Sequence, residues 1–130
     1  MKLTISFILI SIFFLANAYG CPSCNGDEIE ITGILKIEIF PGAPNYENIA
    51  EGDKPEKYWF VVLNKSVCFS PDTEFLSEEV ALTKMQLIFD SSEQQLKEGK
   101  KYFIIGFTVP AHTGHHHSDV LLRVKSIKEL

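Results

Sequence analysis

The sequence predicts a small, mostly β domain: a five-stranded barrel with one short helix between its third and fourth strands. Three observations point there. Five segments read as strands, from the near-perfect apolar–polar alternation of 28–39, the alternating faces of 84–89 and 120–127, and the aromatic and β-branched richness of 58–69. Glycine, proline, asparagine and aspartate gather between those segments. The one helix-like signal is short and follows the third segment.

The first strand is expected over 28–39. Ile29, Ile31, Leu35, Ile37 and Ile39 fall on its core face, and Glu28, Glu30, Thr32, Lys36 and Glu38 on the other. Gly33 lies on the inner face, where a missing side chain permits a bend. Phe40-Pro41-Gly42 ends the strand. A polar loop runs on to residue 57, with turn residues at Pro44, Asn45, Gly52, Asp53 and Pro55. Ordered loops of that length are more often functional than short ones.

The second strand is expected over 58–69, rich in aromatic and β-branched residues. A charged connection fills 70–83. The third strand follows over 84–89, with Met85, Leu87 and Phe89 on one face. A short helix is expected over 91–96, opened by a capping box of Ser92 and Gln95 and closed by Gly99. The fourth strand covers 101–109. The fifth covers 120–127, with Val120, Leu122 and Val124 inward and Arg123 and Lys125 outward. Three strands, a short helix and two more strands is the layout of an OB-fold. An open meander or a sandwich is the rival arrangement.

Ahead of the barrel, residues 1–18 read as a cleaved signal peptide. Lys2 supplies the positive start, an apolar run follows from Ile5 to Leu15, and Ala16-Asn17-Ala18 is a small-x-small cleavage site. The run is too short for a membrane anchor, for which about 20 apolar residues are wanted. Residues 19–130 are then a single OB-like domain, exported to the periplasm or secreted. Loss of Lys2 takes the 12 basic residues to 11 against 17 acidic ones, a net charge of −6. That charge, with no basic stripe to interrupt it, repels phosphate backbones and excludes nucleic acid as a partner.

Cys21, Cys24 and Cys68 remain in the exported chain. An oxidising compartment implies one disulfide and one spare thiol. Cys21 and Cys24 have redox-motif spacing, but they precede the first strand instead of opening a helix that would activate a thiol. Cys21, following Gly20, is also a candidate for lipid attachment.

All four histidines lie in six residues, His112-Thr113-Gly114-His115-His116-His117, followed by Ser118-Asp119. Neutral imidazole is the commonest protein ligand for zinc or copper. In an extended segment His115 and His117 share one face and His116 takes the other. His112, across the turn at Gly114, supplies a third metal ligand and Asp119 a fourth. The other readings are a loop pinned by imidazole hydrogen bonds, a partner-binding loop and a pH sensor. No serine sits on a nucleophile elbow, and the carboxylate pairs Glu78-Glu79 and Glu47/Glu51 have the spacing of solvated surface. No catalytic set is identified, and the reading leans away from an enzyme.

In an OB-fold the loop between strands one and two and the loop between strands four and five flank the binding face. Here these are the 40–58 and 110–119 segments. The binding-face candidates are Tyr46, Glu47, Asp53, Tyr58, His112, His115, His116, His117 and Asp119. The expected function is a non-enzymatic binding module that recognises a protein or small ligand of the cell envelope. Inhibitor- or immunity-type roles belong to that class. The alternative is a zinc- or copper-binding envelope protein with the metal on His112, His115 and His117.

Two stretches resemble a known family. Phe40-Pro41-Gly42-Ala43-Pro44-Asn45-Tyr46-Glu47, Gly52-Asp53, Pro55-Glu56 and Tyr58-Trp59 resemble its FPGPPNYE…GD.PE.YW pattern. Ala111-His112-Thr113-Gly114-His115-His116-His117 with Val120-Leu121-Leu122 resembles its AHTGHHHT.VLL signature. The family is the bacterial domain of unknown function 4431, and the likeness runs from about Cys21 to Ile127. It implies an exported protein with no settled activity. It also implies a Cys21–Cys68 disulfide with Cys24 as the spare thiol, a Cys24–Cys68 bond being the other option. Pro110 and Ser118 depart from the pattern, where histidine and threonine are usual; the first removes a ligand from any four-histidine site.

Overall fold

The computed structural model describes residues 20–91 and 95–130. The segment expected to be a signal peptide and Ser92 of the expected capping box lie outside them. Five strands form the domain: β1 (Glu28–Pro41), β2 (Pro55–Phe69), β3 (Val80–Ile88), β4 (Lys101–Pro110) and β5 (Val120–Glu129). They close a barrel in the order β1-β2-β3-β5-β4, with β4 returning to β1. All pairs are antiparallel except β3 with β5, which run parallel through Leu87–Leu122 and Ile88–Arg123. This is the OB-type connectivity that the strand order predicts.

The inner face follows the alternation in the sequence. Ile31, Leu35, Val61, Leu63, Phe69, Met85, Leu87, Tyr102, Ile104, Val120 and Leu122 form one buried core. Three expectations need correction. β3 starts at Val80, so the charged connection is four residues shorter than predicted, because Val80 and Leu82 pack on the core among polar neighbours. Gln95 and Leu96, the described end of the expected helix, are not helical; the only helix among the described residues is a 3-10 turn at Ile49–Glu51. Ile37 and Ile39 are not core: they are 36% and 54% exposed.

The pairing of β1 explains the last point. Residues 28–34 of β1 pair with β4, and residues 33–41 pair with β2. Past the changeover β4 has ended, and the second half of β1 runs out as a hairpin with β2. Its inner face therefore opens at the barrel mouth with no strand opposite. Gly33 sits at the changeover. A Cβ there would lie 2.7 Å from Cγ2 of Val61 and closer still to the Val62 carbonyl, so only glycine lets the strands approach. Gly33→Ala is expected to cost about 1–3 kcal/mol by overpacking. The urea midpoint reads it; a change below about 0.5 kcal/mol, the size of an ordinary surface substitution, would show that the corner relaxes freely.

Cys21 and Cys68 form a disulfide, and Cys24 is a free, buried thiol. This is the pairing the family resemblance implied. It rules out a Cys21–Cys24 redox pair, and Cys21 keeps no thiol to carry a lipid. Ser70 reinforces the tie by donating from N to Pro22 O and from Oγ to Cys21 O, both at 2.8 Å. Among the described residues no helix is long and apolar enough to cross a membrane.

Candidate functional site

The β1–β2 loop is ordered by one carboxylate. Asp53 is buried and accepts three backbone N–H bonds, from Asn45 (2.9 Å), Glu47 (2.8 Å) and Asn48 (2.9 Å). Those bonds hold its carboxyl below the usual carboxylate range. Asp53 is thus a pin of the loop and offers nothing to a ligand. The pinned loop holds Tyr46 in the left-handed region at φ 58°, an uncommon state for a bulky residue. Tyr46 stands 40% exposed at the mouth.

The histidine loop is held down by Gln86, a residue of β3 that is 2% exposed. Its Nε2 donates to His115 O (2.9 Å), and its Oε1 accepts from His117 N (2.7 Å). Its own backbone N–H donates to Ser118 Oγ (3.1 Å), which donates to Val120 O (2.8 Å). Beside Gln86, Phe60 is fully buried although its position alternates with the core residue Val61. It is covered from outside the barrel: Phe40 lies 5.8 Å away and stacks on His117 at 3.8 Å and 3°. A second, external apolar cluster therefore seats the loop against the wall.

The two loops meet. His115 Nδ1 lies 2.8 Å from Glu56 Oε2 and 2.9 Å from Tyr58 Oη. A carboxylate only accepts, so the imidazole proton sits on Nδ1. Tyr58 Oη donates to the same Glu56 oxygen. The His115 ring meets the edge of Tyr46 at 5.3 Å, with Nε2 and the Tyr46 hydroxyl 3.5 Å apart, which is too long for a strong hydrogen bond. The Glu56 side chain reaches this position because Gly42 has none; a Cβ there would overlap it.

The remaining histidines pair with each other. His112 Nδ1 donates to Pro110 O (2.8 Å), the His112 N–H donates to His116 Nδ1 (3.0 Å), and the two rings meet edge-on at 4.6 Å. His115 and His117 do face one side and His116 the other, as the spacing predicts. They do not converge. Among the described residues no three His, Cys, Asp or Glu side chains could hold a metal ion. His112 turns to its own backbone, His115 to Glu56 and His117 to Phe40, so the expected zinc or copper set of His112, His115 and His117 does not fit. Glu47 and Asp119 are exposed at the edges of their loops, and the Asp119 carbonyl accepts from Ala111 N (3.0 Å).

Tyr46, Tyr58, His115 and His117 are therefore brought together, His112 and His116 pair on the other side of the loop, and Asp53 serves the scaffold. Glu56 and Gln86 were missed in the sequence. Glu56 had a signal: two residues before Tyr58 on a strand, it must share that residue's face.

The titrating groups give the site a pH dependence. Bonds from Tyr58 and His115 hold the Glu56 carboxyl low, and backbone N–H donors do the same for Asp72. Burial lowers His116 and His117, with neighbouring histidine charge adding to it. Each depressed group binds protons more weakly in the folded state. Its stabilisation is complete above its unfolded value and is lost as pH falls. Stability should therefore decline below 6.5, the ordinary histidine value, and again through the carboxylate range near pH 4. Burial pushes up Cys24 and Tyr58, each helped by a neighbouring carboxylate, so stability should also fall once pH passes 9.0, the ordinary thiol value. Urea midpoints across the pH range test this; a midpoint unchanged between about pH 5 and 8 would contradict it.

Comparison with known proteins adds one finding. No curated protein and no solved structure matches the chain. Residues 84–128 match the family described as Domain of unknown function (DUF4431), a stretch holding the Gln86 end of β3, all of β4, the histidine loop and nearly all of β5. The part of the chain that builds and clamps the histidine loop is thus the part similar to the DUF4431 family.

Proposed function

We propose that the protein is an exported, non-enzymatic binding module that recognises a partner of the cell envelope at the mouth between its 40–58 loop and its histidine loop. One observation carries the reading. Glu56 and Tyr58, at the start of β2, form a hydrogen-bonded cluster with His115 of the distant histidine loop, with Tyr46 of the β1–β2 loop exposed beside it. A rigid scaffold presenting two ordered polar and aromatic loops is where binding groups usually sit. An inhibitor- or immunity-type role falls in this class. The Glu56–His115 bond joins β2 to the histidine loop, and with the Tyr58 hydroxyl it holds the imidazole in place.

In-cell photo-crosslinking tests the reading. A crosslinking residue at Tyr46 or Asp119 is expected to trap a discrete partner, and one at Lys65, at the other end of β2, is not. His115→Ala is expected to reduce the yield at least fivefold while the protein stays folded. Equal trapping at all three positions, or yields indifferent to His115→Ala, would remove the mouth as a recognition surface.

A further inference from the structure

β2 and β3 stop pairing early. Their ladder ends at Phe60–Gln86, although β2 runs back to Pro55 and β3 on to Ile88. Continued in register, it would set Tyr58 opposite Ile88 and Lys57 opposite Phe89. Instead β3 swings to β5, with which Leu87 and Ile88 pair. The strands splay around a cavity of about 590 Å³, walled by Lys57, Tyr58, Trp59 and residues 86–89, with His115 and His116 at its edge. That volume is in the range of a ligand pocket. Diverging strands that present main chain to an opening suit the addition of an extended segment.

The rim is chemically one-sided. Lys57 is exposed and makes no ion pair among the described residues. His116 Nδ1 accepts from the His112 N–H, so the proton of its neutral ring sits on Nε2, a donor. A cation and an imidazole donor therefore line the cavity, and among the described residues no Asp or Glu does. Tyr58 and Ile88 supply aromatic and apolar wall. Backbone edges, an apolar wall and a cationic rim are together the requirements for a chain end.

We propose that this cleft takes the C-terminal end of an extended peptide. Its main chain lies along β2 and β3, its apolar last side chain packs on Tyr58 and Ile88, and its carboxylate is held by Lys57 and His116. The proposal rests on the binding-module reading and names the class of partner.

Two pools of N-acetylated random hexapeptides, one of free acids and one of C-terminal amides, test it on the immobilised, disulfide-intact protein. The acid pool is expected to yield retained peptides with apolar last residues, and the amide pool none. A retained peptide should bind at least tenfold more weakly after Lys57→Ala or His116→Gln. Lys57 is exposed, so its variant keeps the test open if His116→Gln does not fold. Equal retention of both pools, indifference to both substitutions, or no retention from either pool overturns the proposal. No retention alongside persistent crosslinks at residues 46 and 119 would overturn the peptide terminus alone; loss of both would remove the binding mouth as well.

Discussion

The Cys21→Ser/Cys68→Ser double variant should lose about 3–4 kcal/mol of stability. The bond spans 47 residues of sequence, and closing a loop of that length removes on the order of 4 kcal/mol of chain entropy from the unfolded state. The segment before β1 is held otherwise by Ser70, by the buried Cys24 and by Thr108, which bonds Ser23 O (2.9 Å), Gly26 N (2.8 Å) and both the N–H and the carbonyl of Asp27 (3.0 and 2.9 Å), and these hydrogen bonds do not restrict the unfolded chain as the disulfide does. For a domain of this size the melting temperature should fall by roughly 10–20 °C. A fall of less than about 4 °C, equivalent to some 1 kcal/mol, would mean that those contacts suffice. Cys24 should resist alkylation in the native protein, being fully buried with its thiol pushed up by burial and by Asp72.

Gln86→Leu is expected to cost about 2–4 kcal/mol and to free the histidine loop. Leucine fills the space but strands the His115 carbonyl and the His117 N–H, both now satisfied by the Gln86 amide. Buried polar groups left without partners cost about 1–3 kcal/mol each. The loss should also be local. Amide exchange of residues 113–118 should accelerate far more than that of β1 or β4, and binding at the mouth should weaken even where the barrel stays folded. Uniform acceleration over the whole chain would mean that Gln86 serves only the barrel.

The barrel was largely legible in the sequence because alternation reports directly which face of a strand is apolar. Ile29, Ile31, Leu35, Met85, Leu87, Val120 and Leu122 could be placed from spacing alone. Alternation does not report whether anything covers that face. Ile37 and Ile39 continue the pattern of Leu35 perfectly, yet β4 has ended beside them. The start of β3 was hidden because Val80 and Leu82 alternate with small or polar residues inside an acidic stretch.

The site was legible in part. Clustered histidines and a long polar loop marked the right segments, and the strand order brought them to one mouth. Roles were harder to read. Asp53 looked like a ligand group but spends its oxygens on its own loop. Gln86 looked like any solvent-facing polar residue of a strand; only the fold lays the loop over it. The metal reading failed on direction, since the four imidazoles in six residues of chain point to four different neighbours.

Proton–proton contacts in solution between the His115 ring and the rings of Tyr46 and Tyr58 are the most direct check. Nuclear Overhauser effects from His115 to both tyrosines, together with one from His117 to Phe40, are the result expected. A His115 ring that shows contacts only within its own loop would mean that the two loops stand apart and that no shared recognition surface exists.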